Sequence, residues 1–178
     1  MHKRYLLLAT AVVAVVAAGF FFTRPESASG QVNDAAQFDS RLAEVTSALV
    51  VAAEESEREW EQLAKLEDAI AAGQKHLARF STIMTMQARI SVPHDDTEAT
   101  AYFNAVRELA RLQYDHEQGW LNKLQTTRTD AEFELKKGEI RDTNQRYQTR
   151  LRELVRQTQN NFARAHGLRL LAATNTKP

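Results

Sequence analysis

Apolar residues recur in alternating steps of four and three along the first half of this chain, and this spacing constrains its fold more than any other feature. The seam runs from Phe38 to Ala52 and resumes from Leu63 to Met84. A repeat of about 3.5 residues keeps one stripe of a helix against a partner helix. The 178 residues include only six glycines and three prolines, and none of their segments is a convincing strand. The sequence therefore predicts an all-α protein with long helices.

Residues 5–22 form an apolar run without any charged side chain. A helix rises about 1.5 Å per residue, so this run would cover roughly 27 Å, close to the hydrocarbon thickness of a bilayer. His2, Lys3 and Arg4 precede it, whereas Arg24 alone follows closely. The positive-inside rule then keeps the N-terminus in the cytoplasm. We expect a single pass through the bacterial inner membrane, with the remaining chain in the periplasm.

A cleaved signal peptide is the alternative interpretation of the same run, because it also combines a basic start with an apolar centre. Cleavage after Ala18 would leave an apolar Gly-Phe-Phe-Phe terminus, and cleavage after Ser29 would fall well past the run. The length of the run favours an uncleaved signal anchor. The chain has no cysteine, which excludes a lipid on a lipobox cysteine and any disulfide.

The chain after the apolar run divides by composition. Pro25, two serines and Gly30 indicate a flexible linker, and Asp34 followed by Gln37 resembles a capping box that begins a helix. The predicted organisation is a basic start at 1–4, an anchor at 5–22, a linker at 23–33, a helical domain at 34–167 and a tail at 168–178.

Residues 91–97 (SVPHDDT) interrupt the helical pattern most clearly. Pro93 disfavours helical geometry at the residue before it, and Asp95 followed by Glu98 restarts a helix. We expect a chain reversal here, with Phe38 and Leu42 lying near Tyr147 and Leu151.

The predicted fold is thus an N-terminal transmembrane helix followed by an elongated antiparallel helical hairpin or bundle. It contains three to four long helices with coiled-coil-like packing. The segment 97–167 could be one helix or two joined near Gly138. Gly73, inside the seam, marks either a close helix crossing or a break.

Charge is balanced over the whole chain but unevenly distributed. The formal net charge is zero, so nothing indicates a nucleic-acid partner. Residues 34–72 hold ten acids and three bases, whereas 138–178 hold eight bases and three acids. Pairing between these two segments is the favoured explanation, and contact with a partner or with anionic lipid is the alternative. The residues that would make such a contact are Arg141, Arg146, Arg150, Arg152 and Arg156.

Candidate sites are few, because the sequence contains no phosphate-binding loop, nucleophile elbow, HExxH or paired-cysteine motif. His94 and Glu98 have the spacing of metal ligands on a helix, but turn and cap chemistry explains them better. Asp115, His116 and Glu117 are adjacent, so their side chains should diverge on a solvated helix face. We therefore predict no catalytic residue, metal or cofactor.

Two further segments are also best explained by ordinary structural roles. The acidic run 54–61 is expected to be a salt-bridged surface rather than a calcium site, since it lacks a glycine-bearing ligand loop. Phe80, Met84 and Met86 could line a ligand pocket, but ordinary core packing explains them better.

The sequence predicts a noncatalytic protein that acts by protein–protein interaction or scaffolding from the membrane. Its partner would be an unknown protein, and a second copy of the chain is a further possible partner. The alternatives are a small-molecule-sensing helical bundle in the periplasm and an envelope-spanning tether or lysis factor.

Overall fold

The computed structural model describes residues 30–168, with side chains over 34–137 and 148–168. This part of the chain is all-α and contains no strand. It comprises four helices: α1 Gly30–Gln62, α2 Leu66–Ala88, α3 Thr97–Gln125 and α4 Asp130–Ala165.

The helices form an up-down-up-down bundle. Connections at 63–65, 89–96 and 126–129 are short, so each helix runs antiparallel to the next. α1 contacts all three other helices, and α3 also packs along α2 and α4. We call the end where α1 begins the first end, and the end where α1 finishes the second end.

Local chemistry fixes the helix starts. Asp96 precedes α3, and its carboxylate accepts a hydrogen bond of 2.8 Å from the backbone N–H of Ala99. Thr129 plays the same role for α4, accepting from Glu132. α2 lacks a capping side chain of its own, and the N–H of Leu66 donates instead to a carboxylate at the start of α4.

Aromatic rings from three helices fill the first end. Phe38 lies 5.2 Å from Phe162 and 6.3 Å from Tyr102, measured between ring centroids. The core continues along α1 through Leu42 and Leu49, both almost fully buried. Burial of these side chains supplies most of the apolar driving force for the bundle.

A separate apolar cluster closes the second end. Trp60, Trp120, Leu124 and Phe133 are its larger members, with Ala69 buried among them. Between the two clusters the interior becomes polar, and that layer contains the candidate site.

Two predicted features of the chain path need correction. The sequence did not predict the turn at 63–65, because apolar residues of the seam recur on both sides of it, from Ala52 to Leu63 and beyond. The second half is two helices, but they join at 126–129, and Gly138 lies inside α4.

The predicted pairing of Phe38 and Leu42 with Tyr147 and Leu151 has the wrong register. Phe38 packs against Phe162, and the amide of Gln159 contacts Asp39, so α1 meets α4 about ten residues further along than predicted. The cause is that the chain reverses three times rather than once.

The membrane prediction falls outside the described region. The predicted anchor at 5–22 precedes the described residues, and so does the predicted linker, 23–33, up to residue 29. The rest of that linker belongs to α1, which begins at Gly30. Within 30–168, no helix is both long enough and apolar enough to cross a bilayer.

Candidate functional site

Three polar side chains occupy core positions at one level of the bundle, one from each of the first three helices. Ser56 of α1, His76 of α2 and Glu117 of α3 are each 3 % exposed. Burying polar groups is costly unless they are hydrogen-bonded. Their partners therefore determine what this layer can do.

Glu117 accepts hydrogen bonds from two side chains of α1. The Ser56 hydroxyl donates to its Oε1, and the Trp60 indole N–H points at its Oε2 from 3.3 Å. His76 Nδ1 lies 3.0 Å from Ser56 Oγ and 3.5 Å from Glu117 Oε2. These contacts join α1, α2 and α3 in one network, which we call the polar cluster.

A second carboxylate completes the cluster at its outer edge. Glu59 Oε2 lies 2.9 Å from His76 Nε2 and 2.8 Å from Lys75 Nζ. The pKa of Glu59 is lowered, first by the hydrogen bond from Lys75 and then by that from His76. The imidazole of His76 is thus held between two carboxylates.

The hydrogen-bond partners of His76 indicate which of its ring nitrogens carry protons. Because the Ser56 hydroxyl hydrogen is directed to Glu117, its oxygen accepts from Nδ1–H, while Nε2–H donates to Glu59. Burial lowers the pKa of His76, but the hydrogen bonds to Glu117 and Glu59 outweigh it, so the pKa lies above its usual value. The folded environment of His76 therefore favours its charged form.

This arrangement contains the residue types of a catalytic triad but has different proton positions. A serine nucleophile needs a neutral histidine to take its proton. Here Ser56 donates to a carboxylate, and both ring nitrogens of His76 face hydrogen-bond acceptors. Ser56 also lies in the interior of α1, where backbone N–H groups are used within the helix and cannot stabilise an oxyanion. The cluster is suited to holding helices together, not to acyl transfer.

A cavity of about 610 Å³ opens beside the polar cluster, between α1, α3 and α4. Its inner surface includes Ser56, Gln113 and Glu117, and its wall includes Trp60 and Trp120. The two indole rings stack with centroids 5.5 Å apart and an angle of 18° between planes. A volume of this size is in the usual range for small-molecule sites, roughly 300–1,000 Å³.

Gly73 of α2 makes room for the aromatic wall. A Cβ atom at this position would lie 3.3 Å from Leu121 Cδ1 and 3.4 Å from Trp60 Cη2. The sequence left a close crossing and a break as alternatives for this glycine, and the crossing is what is observed.

A second buried carboxyl group lies apart from the cluster, at the first end. Asp39 is fully buried, its Oδ1 accepts from Gln159 Nε2 at 3.2 Å, and its Oδ2 has no hydrogen-bond partner. Burial raises the pKa of Asp39 to about 6, although the Gln159 hydrogen bond acts in the opposite direction. The nearby Tyr102 hydroxyl is also buried, and burial followed by the Asp39 charge raises its pKa well above the usual range, while the Thr46 side chain acts in the opposite direction.

The prediction of a solvated face at residues 115–117 is wrong for two of the three. Glu117 is buried in the polar cluster, and His116 is partly buried at the cavity, with its ring centroid 6.4 Å from that of Trp120. Burial lowers the pKa of His116, with Glu117 acting in the opposite direction. Asp115 alone is exposed.

The other predicted groups lie largely on the surface. Glu55 pairs with Arg79, and Glu59 with Lys75, as expected for a salt-bridged acidic run, but Ser56 and Trp60 from the same run are buried. His94 is exposed in the turn beside Asp95.

The methionines and their neighbour Phe80 divide between core and surface. Phe80 is buried in the core, Met84 packs against it, and Met86 is exposed.

Three of the five arginines predicted to contact a partner or lipid have described side chains, all on α4. Arg156 pairs with Glu153 of its own helix at 2.8 Å, Arg150 is exposed, and Arg152 lines the cavity. The side chains of Arg141 and Arg146 fall outside those described.

A periodicity signal in the sequence could have revealed the cluster. Gln113 and Glu117 continue the apolar stripe of α3 at steps of four after Leu109, and Ser56 follows Ala52 at the same step. Polar residues at core positions of consecutive helices predict a buried network.

Among the described side chains, at 34–137 and 148–168, no group of three or more His, Asp or Glu residues is positioned to hold a metal ion. Comparison of the chain with family models, curated proteins and solved structures finds no match.

Proposed function

We propose that this chain is a noncatalytic binding protein, anchored in the bacterial inner membrane by residues 5–22, with its body in the periplasm. The basic residues before the uncharged run support that orientation. An elongated bundle with coiled-coil-like packing would follow the anchor. Because α1 begins at the first end, that end would face the membrane and the cavity would lie nearer the second end.

The observation that carries a binding function is the cavity between α1, α3 and α4. Its inner polar groups already hydrogen-bond one another, so they offer a preformed surface rather than a reactive one. Rigid, preorganised sites of this kind bind with little ordering cost. We take the leading use to be recognition or scaffolding of a periplasmic protein, with a second copy of this chain as a further partner.

The cavity also favours a second candidate function, small-molecule sensing by the bundle. Its volume of about 610 Å³ accommodates a small molecule, and the stacked indoles supply an apolar wall. The tether or lysis alternative is less well supported. Three chain reversals shorten the body to about the length of α4, whose 36 residues span roughly 54 Å.

Two measurements test this proposal. The chain has no cysteine, so a single Ser81→Cys substitution, on an exposed position of α2, gives one labelling site. We expect a membrane-impermeant maleimide to label it in cells with a permeable outer membrane, and the full-length protein to stay with membranes after alkaline washing. Release of a shortened soluble form beginning after Ala18 or Ser29 would contradict the anchor.

The second measurement concerns the cavity. A photoreactive amino acid at Glu57, on the cavity rim, should give a specific adduct in cells, whereas the same group at Ser81 should not. Equal adducts at both positions would show that the cavity is not the binding surface.

A further inference from the structure

Asp39 joins α1 to α4 at the first end through a contact that is poorly suited to a charged carboxylate. Its side chain is fully buried, in the end of the core that aromatic rings fill. Oδ1 accepts a hydrogen bond of 3.2 Å from the amide of Gln159 on α4, and Oδ2 has no hydrogen-bond partner. Burying a carboxylate without a cation or a full set of donors costs much more than burying a protonated carboxyl group. The packing therefore favours the protonated form of Asp39.

The groups that face Asp39 from α3 and α4 supply no compensating charge. Tyr102 of α3 is neutral, because burial and the Asp39 charge raise the pKa of its hydroxyl well above the usual range. Gln159 of α4 is an uncharged amide. His166, the titratable residue at the end of α4, instead contacts Asp96 Oδ2 at 2.9 Å. The interface between these helices thus leaves the carboxyl group to its own proton.

The basic residues of the other surroundings are engaged or exposed. Those within α2 contact glutamates of α1, and they are Lys75, His76 and Arg79. Arg41 of α1 and Arg164 of α4 are exposed to solvent. Among the described side chains, Asp39 therefore has no cationic partner.

The contact between α1 and α4 lies where both helices have an end. α1 begins at the first end and α4 finishes there, whereas the connection at 89–96 joins α2 to α3. Side-chain packing, and not a chain connection, thus holds α1 against α4 at this end. The His166–Asp96 contact fastens the end of α4 to the start of α3 instead. Helix ends held in this way can separate locally while the rest of a domain stays folded.

We propose that Asp39 is a proton-operated switch of the contact between α1 and α4 at the first end. The contact is closed when the Asp39 carboxyl group is protonated, and it opens when that proton passes to water. In the open state water reaches the carboxylate, and Phe162 leaves Phe38. This inference goes beyond the proposed binding function and does not depend on it.

The direction of the switch follows from the proton affinity of the two states. Burial raises the pKa of Asp39 to about 6 in the closed state, whereas a hydrated aspartate has a value near 3.9. The closed contact is therefore fully favoured below about pH 4 and is progressively lost as the pH rises through about 6. Between pH 4 and pH 7.5 the equilibrium should shift toward the open state about 50-fold.

Hydrogen exchange of the full-length protein in detergent tests the switch. Peptides are followed by mass spectrometry, and each rate is corrected for the intrinsic exchange rate at that pH. We expect residues 35–45 of α1 and 155–165 of α4 to lose protection about 50-fold between pH 4 and pH 7.5. In Asp39→Asn, both segments should keep at pH 7.5 the protection that they have at pH 4. Asp34→Asn, exposed on the same helix, is the matched control and should behave as wild type.

A second variant separates a switch from a merely structural role. The Gln159 hydrogen bond lowers the pKa of Asp39, so Gln159→Leu should raise the pH at which opening levels off above about 6. A loss of packing alone would change the protection without moving that pH. This variant also decides the question if Asp39→Asn does not fold.

Three results would overturn the proposal. The first is an unchanged pH dependence in Asp39→Asn, and the second is an unmoved levelling-off pH in Gln159→Leu. The third is a wild-type loss of protection that is equal in all four helices, because it would show that Asp39 affects global stability and not a local contact. The pH dependence that His76 gives to α2 should be the same in wild type and Asp39→Asn, so it does not obscure the comparison.

Discussion

The two ends of the bundle bury carboxyl groups under contrasting conditions. At the first end, Asp39 lies among aromatic rings with one hydrogen bond and one unpartnered oxygen. Toward the second end, Glu117 shares a network with Ser56, His76 and Trp60. The lone group has its pKa raised to about 6, whereas the networked one has the imidazole of His76 across the helix interface. Hydrogen-bond partners thus offset the cost of burying Glu117, whereas the cost of burying Asp39 is expressed as a raised pKa.

The difference indicates what each end contributes. The first end stabilises the bundle through apolar packing, and its isolated carboxyl group, on Asp39, opposes that stability. The polar cluster links three helices through groups with fixed geometry, which specifies how those helices align. We infer that loss of packing should be most costly at the first end, and loss of a single partner most costly at the cluster. Four changes test this contrast, taken from the largest expected effect to the smallest.

Truncation of Phe162 to alanine should have the largest effect. Its ring is fully buried and lies 5.2 Å from Phe38 and 6.0 Å from Tyr102. We expect a loss of about 3–5 kcal/mol in the free energy of unfolding, measured with urea. Leu135→Ala is the control on the same helix, because Leu135 is 77 % exposed and should change stability by less than about 0.5 kcal/mol. Equal effects would show that α4 does not close the first end.

Replacement of Glu117 by leucine tests the polar cluster. The change leaves His76, Ser56 and Trp60 without their shared acceptor, so the free energy of unfolding should fall by about 3 kcal/mol. Glu108→Leu, exposed on the same helix, is the control. A double variant with Ser56→Ala should cost less than the sum of the single changes, because the two side chains contact each other. Additive costs would contradict a cooperative network.

Asp39→Asn tests the isolated carboxyl group through pH. The folded pKa of Asp39 is about 6, above the value near 3.9 expected when unfolded, so the folded state binds the proton more tightly. Wild-type stability should therefore fall as the pH rises from about 4 to 6. The variant should be more stable than wild type at pH 7.5, by up to about 3 kcal/mol, with the difference vanishing near pH 4.

The comparison must be made on the difference between the two proteins. His76 also has a raised pKa, so the stability that it contributes is present below its unfolded pKa, near 6.5, and is lost as the pH rises through its folded value. That contribution is common to wild type and to Asp39→Asn and cancels. A pH-independent difference would show that Asp39 does not titrate in this range.

Much of the backbone could be predicted from the sequence, because caps and periodicity are local signals. The interruption at 91–97 follows from Pro93 and the acidic residues after it, and α3 does begin at Thr97. The turn at 126–129 also had a local signal, since Thr129 followed three residues later by Glu132 is a capping box. The turn at 63–65 had none, because its capping carboxylate, on Asp130, comes from α4.

The candidate site was harder to predict because it depends on register between helices. Ser56, His76 and Glu117 are 20 and 41 residues apart in sequence, and only the bundle brings them to one level. Adjacent residues such as His116 and Glu117 point to different sides of a helix, but both sides of α3 are covered here. The fact that the two side chains point in different directions therefore did not show that either one was exposed to solvent.

A pair of glycine substitutions should have the smallest effect and tests how tightly the aromatic wall is packed. Gly119 in α3 has nothing within 4 Å of an added Cβ, so Gly119→Ala should stabilise the protein by about 0.5–1 kcal/mol through helix propensity. Gly73→Ala gains the same propensity but places a methyl group 3.3 Å from Leu121 and 3.4 Å from Trp60. We expect that crowding to cancel the gain and to alter tryptophan fluorescence, whereas Gly119→Ala leaves the emission unchanged. If both variants are stabilised equally with unchanged emission, the wall is loosely packed, and the close crossing of α2 against Trp60 does not shape the cavity.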